Sequence, residues 1–145
     1  MKIQQLSKDN IQYLIELVLE LWPDCDFREE YEVYKKIITS ATEICYLERE
    51  EEQYIGFIHL TIRTDYVEGA TELPVAYVEA LYVKPTYQRH GIGKLLLEAG
   101  ENWARQKGCK QLASDTELNN SNASSFHQKT RFKEVNRIVC FIKEV

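Results

Sequence analysis

Residues 88–99 read QRHGIGKLLLEA. The first half is polar and carries two glycines, while the second half turns apolar with Leu95, Leu96 and Ala99 at helical spacing. A helix that opens behind glycines presents unpaired backbone N–H groups and the positive end of its dipole, a combination that receives an anion. Two phosphate-binding patterns are excluded by residue type. A P-loop needs Ser or Thr after Gly-Lys, where this chain has Leu95, and a dinucleotide fingerprint needs a third glycine before Gly100.

The surroundings set the loop between a strand and a helix. PVAYVEALYV (74–83) is strongly β-prone and breaks at Lys84-Pro85. Downstream, Ile92, Leu95, Leu96, Ala99, Trp103 and Ala104 line one side of a helix that Gly108 ends. Near the N-terminus MKIQQL starts a strand, and Ser7 or Asp9 caps a helix carrying Ile11, Leu14, Ile15, Val18, Leu21 and Trp22 until Pro23 stops it. A second amphipathic segment spans about residues 28–40. ICYLERE and YIGFIHLTIRT form a hairpin, and residues 65–74 are a loop. KQLASDT is a strand, NNSNASSFHQKT a capped helix, and FKEV with RIVCFIKEV two final strands. This order predicts a mixed α/β sheet in one domain spanning 1–145.

Composition bounds the function. Hydrophobic residues make up 44% and charged residues 28% of the chain, ordinary values for a globular protein. No stretch approaches the roughly 20 apolar residues of a membrane span, and the N-terminus has no signal-peptide core, so a cytoplasmic protein away from membranes is expected. The net charge of −5 hides an asymmetry. Residues 1–79 hold 7 Lys and Arg against 17 Asp and Glu, whereas residues 80–145 hold 11 against 6. Two ligands of opposite sign are implied, and the lack of a basic run disfavours nucleic acid. Cys25, Cys45, Cys109 and Cys140 form no CxxC pair and read as reduced, mostly buried small hydrophobes. The scattered histidines His59, His90 and His127 suggest no metal site.

Gln88-Arg89-His90-Gly91-Ile92-Gly93 fits Q/R-x-x-G-x-G/A, and with the order of elements around it the chain resembles the GCN5-related N-acetyltransferases. The resemblance implies a splayed, mostly antiparallel sheet of roughly six to seven strands flanked by about four helices. It also implies acetyl-CoA as co-substrate and no metal. Its pyrophosphate would rest on Arg89, His90, Gly91, Ile92, Gly93 and Lys94, with Gly91 and Gly93 letting the backbone approach. Backbone groups of Leu81, Tyr82 and Val83 would pair with the pantetheine arm, Leu81 facing the thioester oxygen, and Asn120 would touch the arm. The family's F-Y-x-K-x-G-F pattern is Phe126-His127-Gln128-Lys129-Thr130-Arg131-Phe132 here. His127 stands where a tyrosine general acid is usual, and Arg131 replaces a glycine.

A closer resemblance runs through LWP (21–23), IRTDYVEG (62–69), PVAYVEALYV (74–83), ASDT (113–116) and FKEVNRIVCFIKE (132–144). Together these are similar to the aminoglycoside 6′-N-acetyltransferases. The implied substrate is a polycationic aminosugar, held by Trp22, Tyr66, Glu79, Asp115 and Asn136. Glu79 and Asp115 are the candidate catalytic carboxylates, alternatively a salt bridge within the sheet and a helix cap. Where related enzymes carry an acid, Asn136 brings no charge, which leaves room for another polyamine. A homodimer is implied by family likeness alone. Acetylation of a small amine or a protein N-terminus, and a non-catalytic acetyl-CoA sensor, are the rival readings.

Overall fold

In the computed structural model, which describes residues 2–145, the sheet grows outward from one hairpin. β2 (Glu43–Glu50) and β3 (Gln53–Arg63) run antiparallel around a turn in which Glu51 takes φ +53°. β1 (Lys2–Gln5) adds to the free edge of β2, and β4 (Val75–Val83) adds to β3, both antiparallel. β5 (Leu112–Ala113) joins β4 in parallel, giving the order β1-β2-β3-β4-β5. No described helix is long and apolar enough to cross a membrane.

Helices cover both faces, and the apolar stripes read from the sequence are the surfaces they bury. α1 (Ile11–Leu21) turns Leu14, Ile15 and Val18 onto Cys45, Leu47 and Phe57, joined by Tyr34 of α2 (Phe27–Lys35) and by Ile37. α3 (Ile92–Gln106) packs Leu96, Leu97 and Trp103 on the opposite face against Ile58 and Leu60. Burying each such side chain is worth about 1.5–3 kcal/mol, so the two stripes clamp the sheet from both sides. α4 (Ser121–Lys129) lies beside the end of β5.

Three expectations are corrected. The sheet has five strands among the described residues, not six or seven. Residues 133–145 form neither helix nor strand and are exposed throughout: strand propensity alone makes no strand, and among the described residues these positions pair with no other segment. α1 is preceded by Asn10 rather than capped by Ser7 or Asp9; the Asn10 side chain accepts from the Ser7 N–H and donates to the Gln5 carbonyl. Cys140 is exposed, whereas Cys45 and Cys109 are buried, and all four cysteines are free.

Candidate active site

At the head of α3, Gly91 holds φ +81°, a left-handed conformation that costs an L side chain roughly 1–2 kcal/mol. No atom lies within 4 Å of where a Cβ would stand, so conformation and not space selects this glycine. Gly93 has another cause. A Cβ there would sit 3.1 Å from Cε2 of Phe126, so this glycine lets α3 approach α4. The first turn of α3 leaves the N–H groups of residues 92–94 without helical partners. Gln88 fixes the approach by donating from Nε2 to the Val83 carbonyl at 3.0 Å.

Beside this loop the sheet forks. β4 and β5 pair only through Ala76–Leu112 and Tyr77–Ala113 and then part. Beyond Tyr77 that edge of β4 has no strand neighbour, leaving backbone groups along Leu81, Tyr82 and Val83 for an extended ligand. A cleft of about 1080 Å³ runs through the fork. Arg89, Lys94 and Lys129 line it together with Glu79, Asp115 and Glu117.

Glu79 reaches the cleft because β4 bulges there. His59 pairs with Ala80 and Leu60 with Val78, so Glu79 is an extra residue in the ladder. Its Oε1 accepts from Thr61 Oγ1 at 2.7 Å and from Arg63 Nη2 at 2.8 Å and Nε at 3.2 Å. The salt-bridge alternative is therefore realised, but in the cleft wall and half-exposed. Asp115 is not a helix cap: Asn120 Oδ1 caps α4 by accepting from the Ala123 N–H at 3.0 Å. Asp115 instead accepts a short hydrogen bond from the Tyr77 hydroxyl. Burial, then Asp115 itself, pushes that hydroxyl well above the ordinary tyrosine range, so it remains a donor. Arg63 compensates Glu79 with a full charge, whereas Asp115 receives only a neutral hydroxyl.

Of the other expected residues, Trp22 lines the cleft at the end of α1, and Leu81, Tyr82, Val83, Arg89, Gly91, Gly93, Lys94, Asn120 and His127 line it too. Ile92 has its side chain in the core, so only its backbone serves there. His90 points away, with Nδ1 3.2 Å from the Tyr87 carbonyl. Tyr66 and Asn136 are exposed and do not line the cleft; both meet Glu68, which accepts from Asn136 Nδ2 at 3.0 Å. Arg63, Thr61, Tyr77 and Ser114 were missed from the sequence. Strand alternation places Thr61 and Arg63 on one face, but only register shows that Glu79 lies beside them.

His127 does not offer a free N–H to the cleft, since both ring nitrogens have partners, Ala123 O at 2.6 Å and Ser114 Oγ at 2.8 Å. Arg131 keeps the backbone of the glycine it replaces, with φ +73°. Its N–H bonds the Gln128 carbonyl and the Phe132 N–H the His127 carbonyl, closing α4 in a Schellman motif. No cluster of metal-ligating side chains occurs among the described residues.

The forked sheet with a glycine-headed helix at its open side is the frame of an acetyltransferase family. Residues 11–132 match the acetyltransferase (GNAT) family, and the chain belongs to it. More narrowly, it is 34% identical to the aminoglycoside N(6′)-acetyltransferase type 1 of Acinetobacter baumannii, over 100% of this chain and 99% of that one. It is 33% identical to the enzyme of that name from Stenotrophomonas maltophilia, over 96% and 90%. Among solved structures, AAC(6′)-Iy in complex with the bisubstrate analogue CoA-S-monomethyl-acetylneamine superposes with TM-score 0.95 at 28% identity, covering 99% of this chain and 98% of that one. AAC(6′)-Ih from Acinetobacter baumannii superposes with TM-score 0.92 at 32% identity, over 99% and 98%.

Proposed function

We propose that this chain transfers the acetyl group of acetyl-CoA to the 6′-amine of an aminoglycoside by direct attack within a ternary complex. The observation that carries the reading is one cleft joining the Gly91 cradle to the carboxylates of Glu79 and Asp115. Relatives named for this activity at about one-third identity over the whole chain support it.

The chemistry requires a neutral amine. An alkyl ammonium titrates near 10, so roughly a thousandth is neutral at pH 7, a handicap of about 4 kcal/mol. Asp115, which forms no ion pair among the described residues, is the stronger candidate to attract the ammonium and accept its proton. Holding both substrates across the fork supplies more, since good orientation is worth roughly 7–11 kcal/mol. Backbone N–H near Leu81 would face the developing oxyanion. Burial pushes the thiols of Cys45 and Cys109 up, which keeps them protonated and disfavours a cysteine nucleophile.

Thiol release from acetyl-CoA over a panel of amines tests the reading. Kanamycin and tobramycin should far outpace spermidine, simple monoamines and peptides. Transfer only to another amine would move the substrate to a different polyamine. Binding of acetyl-CoA with no transfer to any amine would leave a sensor. Because acetyl-CoA is an intracellular thioester, the cytoplasm is the proposed compartment.

We further propose a homodimer. Val139, Phe141 and Ile142 are 76%, 92% and 99% exposed in a segment that reads as a strand. The outer edge of β5 is unpaired in the same chain. Two copies exchanging these segments would satisfy both features reciprocally.

A further inference from the structure

The pair Ser114 and His127 has a geometry that the sequence did not announce. A carbonyl only accepts, so His127 Nδ1 carries a proton toward Ala123 O, and Nε2 is the nitrogen left to exchange a proton with Ser114 Oγ. The ring is also wedged between Phe126 and Phe132, whose centroids lie 6.1 and 5.0 Å away. Turning into the cleft would break both hydrogen bonds and this packing. Ser114 is placed differently. It is the first residue past the last β4–β5 pair, at the vertex of the fork, and it lines the cleft. Ser114 meets His127 of α4 while its neighbour Asp115 meets the Tyr77 hydroxyl of β4, so the two side chains turn to different partners at the vertex.

We propose that Ser114, rather than His127, delivers the proton to the departing coenzyme A sulfur, with His127 positioned behind it as the proton's supply. This rests on the acetyl transfer proposed above. As the carbon–sulfur bond breaks, its electron pair stays on sulfur. The Ser114 hydroxyl proton moves to sulfur while a proton passes from His127 Nε2 to Ser114 Oγ. The serine ends as a hydroxyl and His127 as a neutral imidazole still donating from Nδ1 to Ala123 O. A proton from water restores the imidazolium. Nothing is oxidised or reduced, and no acetyl group reaches the protein.

The test is the single-turnover rate of thiol release from enzyme saturated with acetyl-CoA and kanamycin. Ser114→Ala should slow it about tenfold to a hundredfold, with the dissociation constants of both substrates within about twofold of wild type. Ser114→Thr, which keeps the hydroxyl, should recover most of the rate. His127→Gln should lose about as much as Ser114→Ala, and the double variant should be no slower than the worse single one, because the two act as a unit. A Ser114→Ala rate within about twofold of wild type, or losses that multiply in the double variant, would overturn the relay. So would wild-type enzyme carrying an acetyl group on Ser114 that passes to the amine, which would make the serine a nucleophile. If wild type acetylates another amine and not kanamycin, the substrate reading fails and the same measurements on that amine still decide the relay.

Discussion

Arg63 lies against the face of Tyr77, its guanidinium carbon 3.5 Å from the ring centroid, while the same guanidinium donates to Glu79. Because the Tyr77 hydroxyl in turn donates to Asp115, one stack connects the two carboxylates of the cleft. The stack fixes which acid is already compensated by a cation and which is open to one.

Asp115→Asn should therefore lower kcat/KM for kanamycin or tobramycin about ten- to a hundredfold, since a charged hydrogen bond is worth roughly 1.5–3 kcal/mol. The KM for acetyl-CoA should hardly move. Tyr77→Phe keeps the platform for Arg63 but frees Asp115, and should cost less than Asp115→Asn. Raising salt to about 0.5 M should weaken aminosugar binding by wild type more than by Asp115→Asn. Asp115→Asn kinetics within about twofold of wild type would remove Asp115 from the substrate site.

Gly91→Val places a β-branched residue at φ +81°. Open space around it means that the rest of the chain has no clash to relieve. Acetyl-CoA affinity should fall by about tenfold or more as the loop backbone shifts, with far-UV circular dichroism unchanged. Unaltered affinity, measured by calorimetry, would take the cradle out of cofactor binding.

Arg131→Gly should stabilise the protein. The Schellman position after α4 requires a left-handed residue, and glycine removes a strain of roughly 1 kcal/mol. The gain should appear as a rise in melting temperature of about 2–4 °C.

Glu48 is fully buried, and among the described residues no side chain bonds its carboxylate, the Lys2 backbone N–H being the one donor near it. Burial raises its carboxyl above the ordinary carboxylate range. The folded state therefore holds this proton more tightly than the unfolded chain. Its contribution is complete below the unfolded carboxylate range and is lost as pH rises through the folded value. Glu48→Gln should thus gain on wild type in urea denaturation between pH 5 and pH 8, with the difference shrinking toward acid. A constant difference across that range would show that Glu48 does not titrate in this way.

Ile142→Asp should favour the monomer in sedimentation at micromolar concentration if exchanged C-terminal segments build the dimer. It should leave acetyl-CoA binding unchanged, because Ile142 lies outside the cleft. A wild-type monomer would end the dimer proposal.

Features governed by neighbours along the chain were legible in the sequence. The glycine loop and the helix behind it, the apolar stripes of α1 and α3 and the β2–β3 hairpin follow from short-range backbone needs and periodicity, whereas the two acids were named through the family resemblance. Arg131 also announced a strained turn, because a position that needs φ > 0 is a local property.

Tertiary structure alone decided what those residues touch. Glu79 enters the cleft through a bulge visible only in the pairing of β3 with β4, and its partners Thr61 and Arg63 are 18 and 16 residues away. Tyr77 meets Asp115 across 38 residues, and Ser114 meets His127 across 13. Gly93, which the motif assigns to an anion, also answers to Phe126 on another helix. The C-terminal run has strand propensity but finds no ladder within its own chain. Propensity is encoded residue by residue, whereas a strand, a bulge or a hydrogen-bonded pair forms only where register brings a partner within reach.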